Sequence, residues 1–159
     1  KNPPGVSSQG DTHPVTCVSE VDASAFCQWL TARERTLGFI KANEWYRLPT
    51  EAEWRAALGP SAASMRIDSS DEIVPFDPGA TALSPRDEVP ETIVDLRGSV
   101  AEWTSSYGRD HGLQIVCGTS WFEIPSSAGI RHREYDRSLR GVGIGFRVVL
   151  DQTSKPENP

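Results

Sequence analysis

The chain has few of the side chains that bind soft metals or form cross-links. Its 159 residues include only three cysteines and three histidines. Cys17, Cys27 and Cys117 share no CxxC spacing, which argues against a zinc site. Free buried thiols are the expected state, and Cys27 beside Phe26 should lie on the inner side of a helix. A single disulfide is the alternative.

The chain also lacks a cationic surface and long apolar runs. Its formal net charge is −6 with no offsetting basic block, which argues against binding nucleic acid or an anionic membrane surface. No apolar run approaches the roughly 20 residues that a membrane-spanning helix needs. A hydrophobic content of 37% is typical of a globular domain with a real core. The chain shows no initiator methionine and no signal peptide, so we interpret it as a processed product or fragment and assign no compartment.

Two helices are predicted from capping patterns. Ser19 followed by Asp22 predicts a capped helix running to about Arg35. Its expected buried stripe consists of Ala25, Phe26, Trp29 and Leu30. Thr50 with Glu53 predicts a second capped helix over about 51–58, with Trp54, Ala57 and Leu58 on its inner face.

Most of the remaining chain reads as loops with a few strands. The composition of residues 1–12 indicates a flexible lead-in, and that of residues 59–90 indicates a long irregular loop. Residues 151–159 are polar and are expected to form a disordered tail. Short strands are expected at 115–121 and 143–149. The fold class is therefore α+β, with two helices, short antiparallel strands and long loops in one domain over 13–150.

Ordered motifs connect this chain to a known family. They read HPV at 13–15, VSEVDASAFCQWL at 18–30, YRLPTEAEW at 46–54, DLRGSVAEW at 95–103, GTSW at 118–121 and GFR at 145–147. In this order and spacing they resemble the formylglycine-generating enzyme, or sulfatase-modifying factor, family, over about residues 12 to 150. The resemblance implies an irregular C-type-lectin-like fold. Family members carry a further portion before the HPV motif, so the resemblance implies that this chain lacks the N-terminal part of the fold.

The oxidase chemistry of that family is not expected here. Its enzymes oxidise a substrate cysteine with copper held by two cysteines that follow the GGSW motif. The matching positions of this chain are Glu123 and Ala128. A carboxylate and a methyl group cannot replace two soft thiolates around copper(I). We therefore expect a catalytically degenerate member that holds no copper, and whether it is an enzyme at all stays open, with the balance against.

Calcium is the metal that the resemblance does imply. The family's calcium loop aligns with the side chain of Asp95, the carbonyls of Gly98 and Val100, and the carboxylate of Glu102. Carboxylate and carbonyl oxygens within a tight loop suit that ion. The alternative is an acidic turn without a metal, in which Trp103 is buried.

A ligand groove is expected after the GTSW motif, where the family's enzymes accept an extended peptide. Its candidate residues mix aromatic, cationic and acidic side chains in a composition suited to recognition. They are Trp121, Glu123, Arg131, His132, Arg133 and Tyr135. One of the two arginines is expected to be structural.

These observations predict a non-catalytic binding or scaffolding domain. It would recognise a protein or peptide ligand within a larger, bacterial-type assembly, and a companion polypeptide would supply the missing N-terminal portion. The alternative is a fragment or subunit of a metal-dependent oxidative enzyme, either a formylglycine-generating oxidase or a sulfoxide-synthase-like protein, completed by another chain.

Overall fold

The computed structural model describes residues 13–58, 96, 100–120 and 132–152. Within them the chain forms two α-helices and six β-strands. The elements are α1 (Glu20–Thr36), β1 (Trp45–Arg47), α2 (Glu51–Ala57), β2 (Ala101–Tyr107), β3 (Leu113–Cys117), β4 (His132–Asp136), β5 (Ile144–Phe146) and β6 (Val149–Asp151). The α+β class with two helices and short strands is confirmed. None of the helices in these ranges is long and apolar enough to cross a membrane.

Both helices begin where the capping pattern predicts. The Ser19 hydroxyl accepts a hydrogen bond from the Asp22 amide, and the Asp22 carboxylate accepts one from the Ser19 amide. Thr50 and Glu53 form the same reciprocal pair at the start of α2. Each box satisfies amides that the first helical turn leaves without partners. Helix α1 ends before Gly38, whose φ of 76° suits a residue without a Cβ.

The strands form a four-stranded sheet and a separate two-stranded sheet. The larger sheet has the order β4-β3-β2-β5, in which β2 pairs with β3 antiparallel and with β5 parallel. The smaller sheet pairs β1 with β6 in antiparallel fashion. The predicted strand at 115–121 corresponds to β3, and the predicted stretch 143–149 contains β5 and the start of β6. Strand β6 ends at Asp151, in the stretch that the sequence assigned to the polar tail.

The larger sheet separates two hydrophobic cores. On the α1 side, Ala23 and Cys27 pack with Trp103 and Val116. On the α2 side, Trp54 packs in a cluster whose other buried members are Leu58, Leu96, Ile115 and Cys117. Neighbouring residues of a strand point to opposite faces of a sheet. On β2, the side chain of Trp103 therefore lies on the α1 side, and that of Glu102 lies on the α2 side.

The predicted buried stripe of α1 is wrong. The helix buries Glu20, Ala23, Cys27 and Thr31 instead. Phe26 and Trp29 are 41% and 55% exposed. Two of the buried residues are polar, and tertiary contacts satisfy them. Glu20 binds the guanidinium of Arg137, and the Thr31 hydroxyl accepts the Tyr46 amide, so burying these residues costs less than their polarity suggests.

Candidate functional site

A buried ion pair lies where the chain was expected to hold calcium. Glu102 on β2 is 4% exposed, and both of its carboxylate oxygens are bound by Arg147. Arg147 donates from Nε to Oε2 and from Nη2 to Oε1, each at 2.6 Å. The indole Nε1–H of Trp54 also donates to Oε2, at 2.6 Å. These contacts join α2, β2 and the residue after β5 beneath the sheet.

The geometry limits how Glu102 could bind a cation. A carboxylate offers about four acceptor positions, two on each oxygen. The bonds from Arg147 and Trp54 occupy both positions of Oε2 and one of Oε1. Glu102 therefore fits a calcium ion only through Oε1, and the guanidinium already offsets its negative charge.

The other predicted calcium ligands are only partly visible. Val100 is buried and precedes β2, whereas Asp95 and Gly98 lie outside the described residues. No group of three or more histidine, cysteine, aspartate or glutamate side chains in the described ranges is arranged to hold a metal. Because half of the proposed ligand set is not described, calcium binding stays a prediction.

The predicted groove residues divide between the two faces of the sheet. Strand β4 pairs His132 with Cys117 and Arg133 with Val116, so these neighbours point in opposite directions. Tyr135 packs on the α1 side, where its ring meets Trp103 edge-on at 6.5 Å. His132 therefore cannot share a face with Arg133 and Tyr135. Trp121, Glu123 and Arg131, together with the copper-aligned Ala128, lie outside the described residues.

His132 belongs to a polar cluster at the start of α2. Its Nδ1 lies 2.8 Å from Oε1 of Glu51, and its Nε2 lies 3.7 Å from Oε1 of Glu134. Burial raises the pKa of Glu51, but hydrogen bonds from His132 and Arg55 outweigh that effect and hold the pKa below its usual value. This cluster connects α2 to the edge strand β4 through the hydrogen bond between Glu51 and His132.

The cysteines of the described ranges are free and mostly unreactive. Cys27 and Cys117 are buried thiols, and burial raises the pKa of Cys27 to about 11 and that of Cys117 to about 12. A thiol of such high pKa is almost entirely protonated at neutral pH and is a poor metal ligand or nucleophile. Cys17 is also free and is partly exposed.

An exposed face of α1 is the feature that the sequence reasoning missed. Phe26, Trp29, Ala32, Arg33 and Thr36 follow helical spacing on one side of the helix, and Leu37 continues it; we call these six residues the α1 face. The rings of Phe26 and Trp29 lie 5.5 Å apart, and Arg33 lies over the Trp29 ring at 5.6 Å. The sequence did contain a signal for the buried side of α1. Ala23, Cys27 and Thr31 are spaced four residues apart, so they lie along one side of the helix, and this is the side that the structure buries.

Several known proteins resemble this chain. The family model described as Sulfatase-modifying factor enzyme 1-like domain matches residues 2–152. Serine/threonine-protein kinase pkn1 of Chlamydia pneumoniae is 30% identical over an alignment of 104 residues that covers 62% of this chain and 14% of the kinase.

Solved structures share the fold at lower identity. PvdO from Pseudomonas aeruginosa superposes with a TM-score of 0.61 at 23% identity, covering 89% of this chain and 63% of that one. CarF gives 0.60 at 22% identity, covering 90% and 69%. Treponema denticola variable protein 1 gives 0.60 at 18% identity, covering 95% and 75%. The chain thus spans a small part of the kinase and less than two thirds of PvdO.

Proposed function

This chain belongs to the sulfatase-modifying factor enzyme 1-like domain family, and from that premise we propose that it is a non-catalytic binding domain. It recognises a protein or peptide partner inside a larger assembly. The observation that carries this proposal is the α1 face, where the large aromatic side chains of Phe26 and Trp29 are 41% and 55% exposed. Contiguous exposed aromatic surface is typical of interaction sites.

Two features of the chain's side chains support a non-catalytic role. The residues aligned with the copper-binding cysteines are Glu123 and Ala128, which offer no thiolate. The thiols that the structure does describe in the cores, Cys27 and Cys117, are buried and protonated. The chain's own side chains therefore favour binding over oxidation.

A companion polypeptide is the second part of the proposal. It would supply the N-terminal portion that family members carry before the HPV motif. The small sheet supports this idea, because in the part of the chain that the structure describes it consists of β1 and β6, and an edge strand can pair with a further strand.

Calcium remains part of the proposal as a structural ion. Asp95, Gly98, Val100 and Glu102 would hold it, with Glu102 contributing Oε1. Its role would be to fix the loop that precedes β2, because an oxygen-ligated ion ties together the segments that supply its ligands.

The test is to purify the natural assembly and compare it with the isolated chain. Native mass spectrometry should show an additional polypeptide, and hydrogen exchange across residues 25–37 should slow in the complex. A complex with no second polypeptide and no slowing would contradict the binding role. Iron or copper in stoichiometric amount, together with peptide oxidation, would instead favour a subunit of an oxidative enzyme.

A further inference from the structure

The edges of the larger sheet are poorly suited to taking up a further strand. A strand at an edge leaves N–H and C=O groups that can bind another extended chain. Strand β4 carries the charged residues Arg133, Glu134 and Asp136, and charged side chains on an edge discourage such pairing. At the opposite edge, β5 is buried at Ile144 and Gly145, which leaves little room for a neighbour. A further strand would therefore pair with the small sheet.

The outer edge of β1 is closed by helix α1. The Tyr46 amide donates to the Thr31 hydroxyl at 2.8 Å, so it points away from β6 and towards the helix. The N–H and C=O of one residue in an antiparallel strand point to the same side. Both main-chain groups of Tyr46 therefore face α1, and within the described residues the edge of the small sheet that remains is that of β6.

The register of the small sheet shows which groups this edge offers. Tyr46 lies opposite Leu150 in the β1–β6 ladder. Opposite residues of an antiparallel ladder either exchange both hydrogen bonds or exchange none, and the Tyr46 amide is bound to Thr31. The N–H and C=O of Leu150 therefore point away from β1. In the described ranges, neither group has a hydrogen-bond partner beyond the ladder.

The side chains of β6 do not protect its edge by charge. Leu150 is apolar and 39% exposed. Asp151 is the charged residue of the strand, but its carboxylate accepts a hydrogen bond from Arg47 at 2.6 Å, and its side chain is only 12% exposed. An edge with an exposed apolar residue, outward main-chain groups and a neutralised charge is suited to pairing.

We propose that the companion polypeptide adds an extended strand to the outer edge of β6 and exchanges two main-chain hydrogen bonds with Leu150. This inference rests on the proposed function, from which it takes the companion. The added strand continues the β1–β6 ladder into a three-stranded sheet that α1 closes at the other edge. The residue opposite Leu150 needs an N–H and so is not proline, and an apolar or β-branched side chain suits the contact with Leu150.

The short edge fixes the position of the companion more than it supplies affinity. Strand β6 spans three residues, so the added strand pairs over roughly 10 Å. Few hydrogen bonds fit within that length. The companion therefore also contacts surface outside the small sheet, and the two bonds to Leu150 set its register.

Residue-resolved hydrogen exchange of the isolated chain and of the natural assembly tests the proposal. In the isolated chain, the Leu150 amide should exchange at least about tenfold faster than the Val149 amide, which points towards β1. In the assembly, exchange at Leu150 should slow at least about tenfold. A Leu150 amide that is already protected in the isolated chain would overturn the proposal.

Replacing single amides by esters tests the hydrogen bond directly. Ligation of a synthetic C-terminal segment can place an ester at residue 150, which removes the outward N–H and leaves every side chain unchanged. This change should weaken binding of the companion isolated from the natural assembly about tenfold, as loss of a hydrogen bond at an interface can do. An ester at residue 149 is the matched control, because it removes a donor that points towards β1 and should lower the Tm instead.

The outcomes separate this inference from the proposed function. An assembly that contains a second polypeptide, but in which Leu150 exchanges as fast as in the isolated chain, would show that strand addition is wrong while the binding role stands. Unchanged affinity of the residue-150 ester would also refute strand addition. An assembly without a second polypeptide would contradict the companion itself.

Discussion

Replacing Glu102 by glutamine should destabilise the fold strongly. The change keeps the shape of the side chain but removes the negative charge that Arg147 binds through both of its donating nitrogens. Glu102 is 4% exposed, and the side chain of Arg147 is 23% exposed, so water replaces the lost partner poorly. Breaking a buried ion pair by removing one member costs about 3–5 kcal/mol. The lower figure is appropriate because Arg147 retains some access to water.

The assay is thermal or urea unfolding in excess chelator, so that no calcium contributes. A loss of about 3 kcal/mol corresponds to a fall in Tm of about 6–12 °C for a domain of this size. Arg147→Met provides the reciprocal single variant, and the double variant should lose less than the sum of the two, because the ion pair is already absent. A Glu102→Gln variant within about 1 kcal/mol of the wild type would refute the argument that this pair ties β2 to the segment after β5.

Thermal unfolding of the wild type and of Glu102→Ala tests calcium binding. If the proposed loop binds the ion in the folded state, the Tm of the wild type should rise as the calcium concentration increases. Glu102→Ala should abolish that increase in addition to destabilising the fold. An unchanged wild-type Tm on moving from chelator to calcium, with no anomalous density at the loop, would exclude the site.

Three further predictions follow from the sequence and the described contacts. Because Glu123 and Ala128 replace the copper ligands, a cysteine-containing peptide should yield no aldehyde product with or without copper, and mass-spectrometric detection of that product would contradict this. Cys27 and Cys117, whose pKa values burial raises to about 11 and about 12, should resist alkylation at pH 8 until the protein unfolds; rapid labelling of the native state would show otherwise. A hydrogen-bonded arginine lowers the pKa of Glu53 to about 2, so its contribution to stability is present above its unfolded pKa and is lost as the pH falls towards 2. The stability difference between the wild type and Glu53→Gln should therefore shrink between pH 5 and pH 2, and a constant difference would contradict the role assigned to this carboxylate.

The sequence alone determined the local structure and the family. Both helices begin where predicted, because a capping box joins residues only three positions apart and needs no tertiary partner. The inner face of α2 was also predicted correctly, since Trp54, Ala57 and Leu58 are all apolar and no competing stripe exists. Motif order was enough to identify the family.

Tertiary structure decided the features that depend on distant residues. Glu102 meets Arg147 across 45 positions of the chain, so nothing local showed that its carboxylate would be bound by a cation. Strand β4 was not predicted, and its alternation separates His132 from Arg133 and Tyr135 although all three are close in sequence.

The orientation of α1 shows the physical reason most clearly. Hydrophobicity favoured burying Phe26 and Trp29. The side of the helix that packs against the sheet instead carries the smaller side chains of Ala23 and Cys27. Thr31 can join that side because its hydroxyl finds the Tyr46 amide, a partner that only folding brings within reach. Helix formation was thus encoded locally. Which side of the helix stays exposed was set by shape and hydrogen-bond partners elsewhere in the chain.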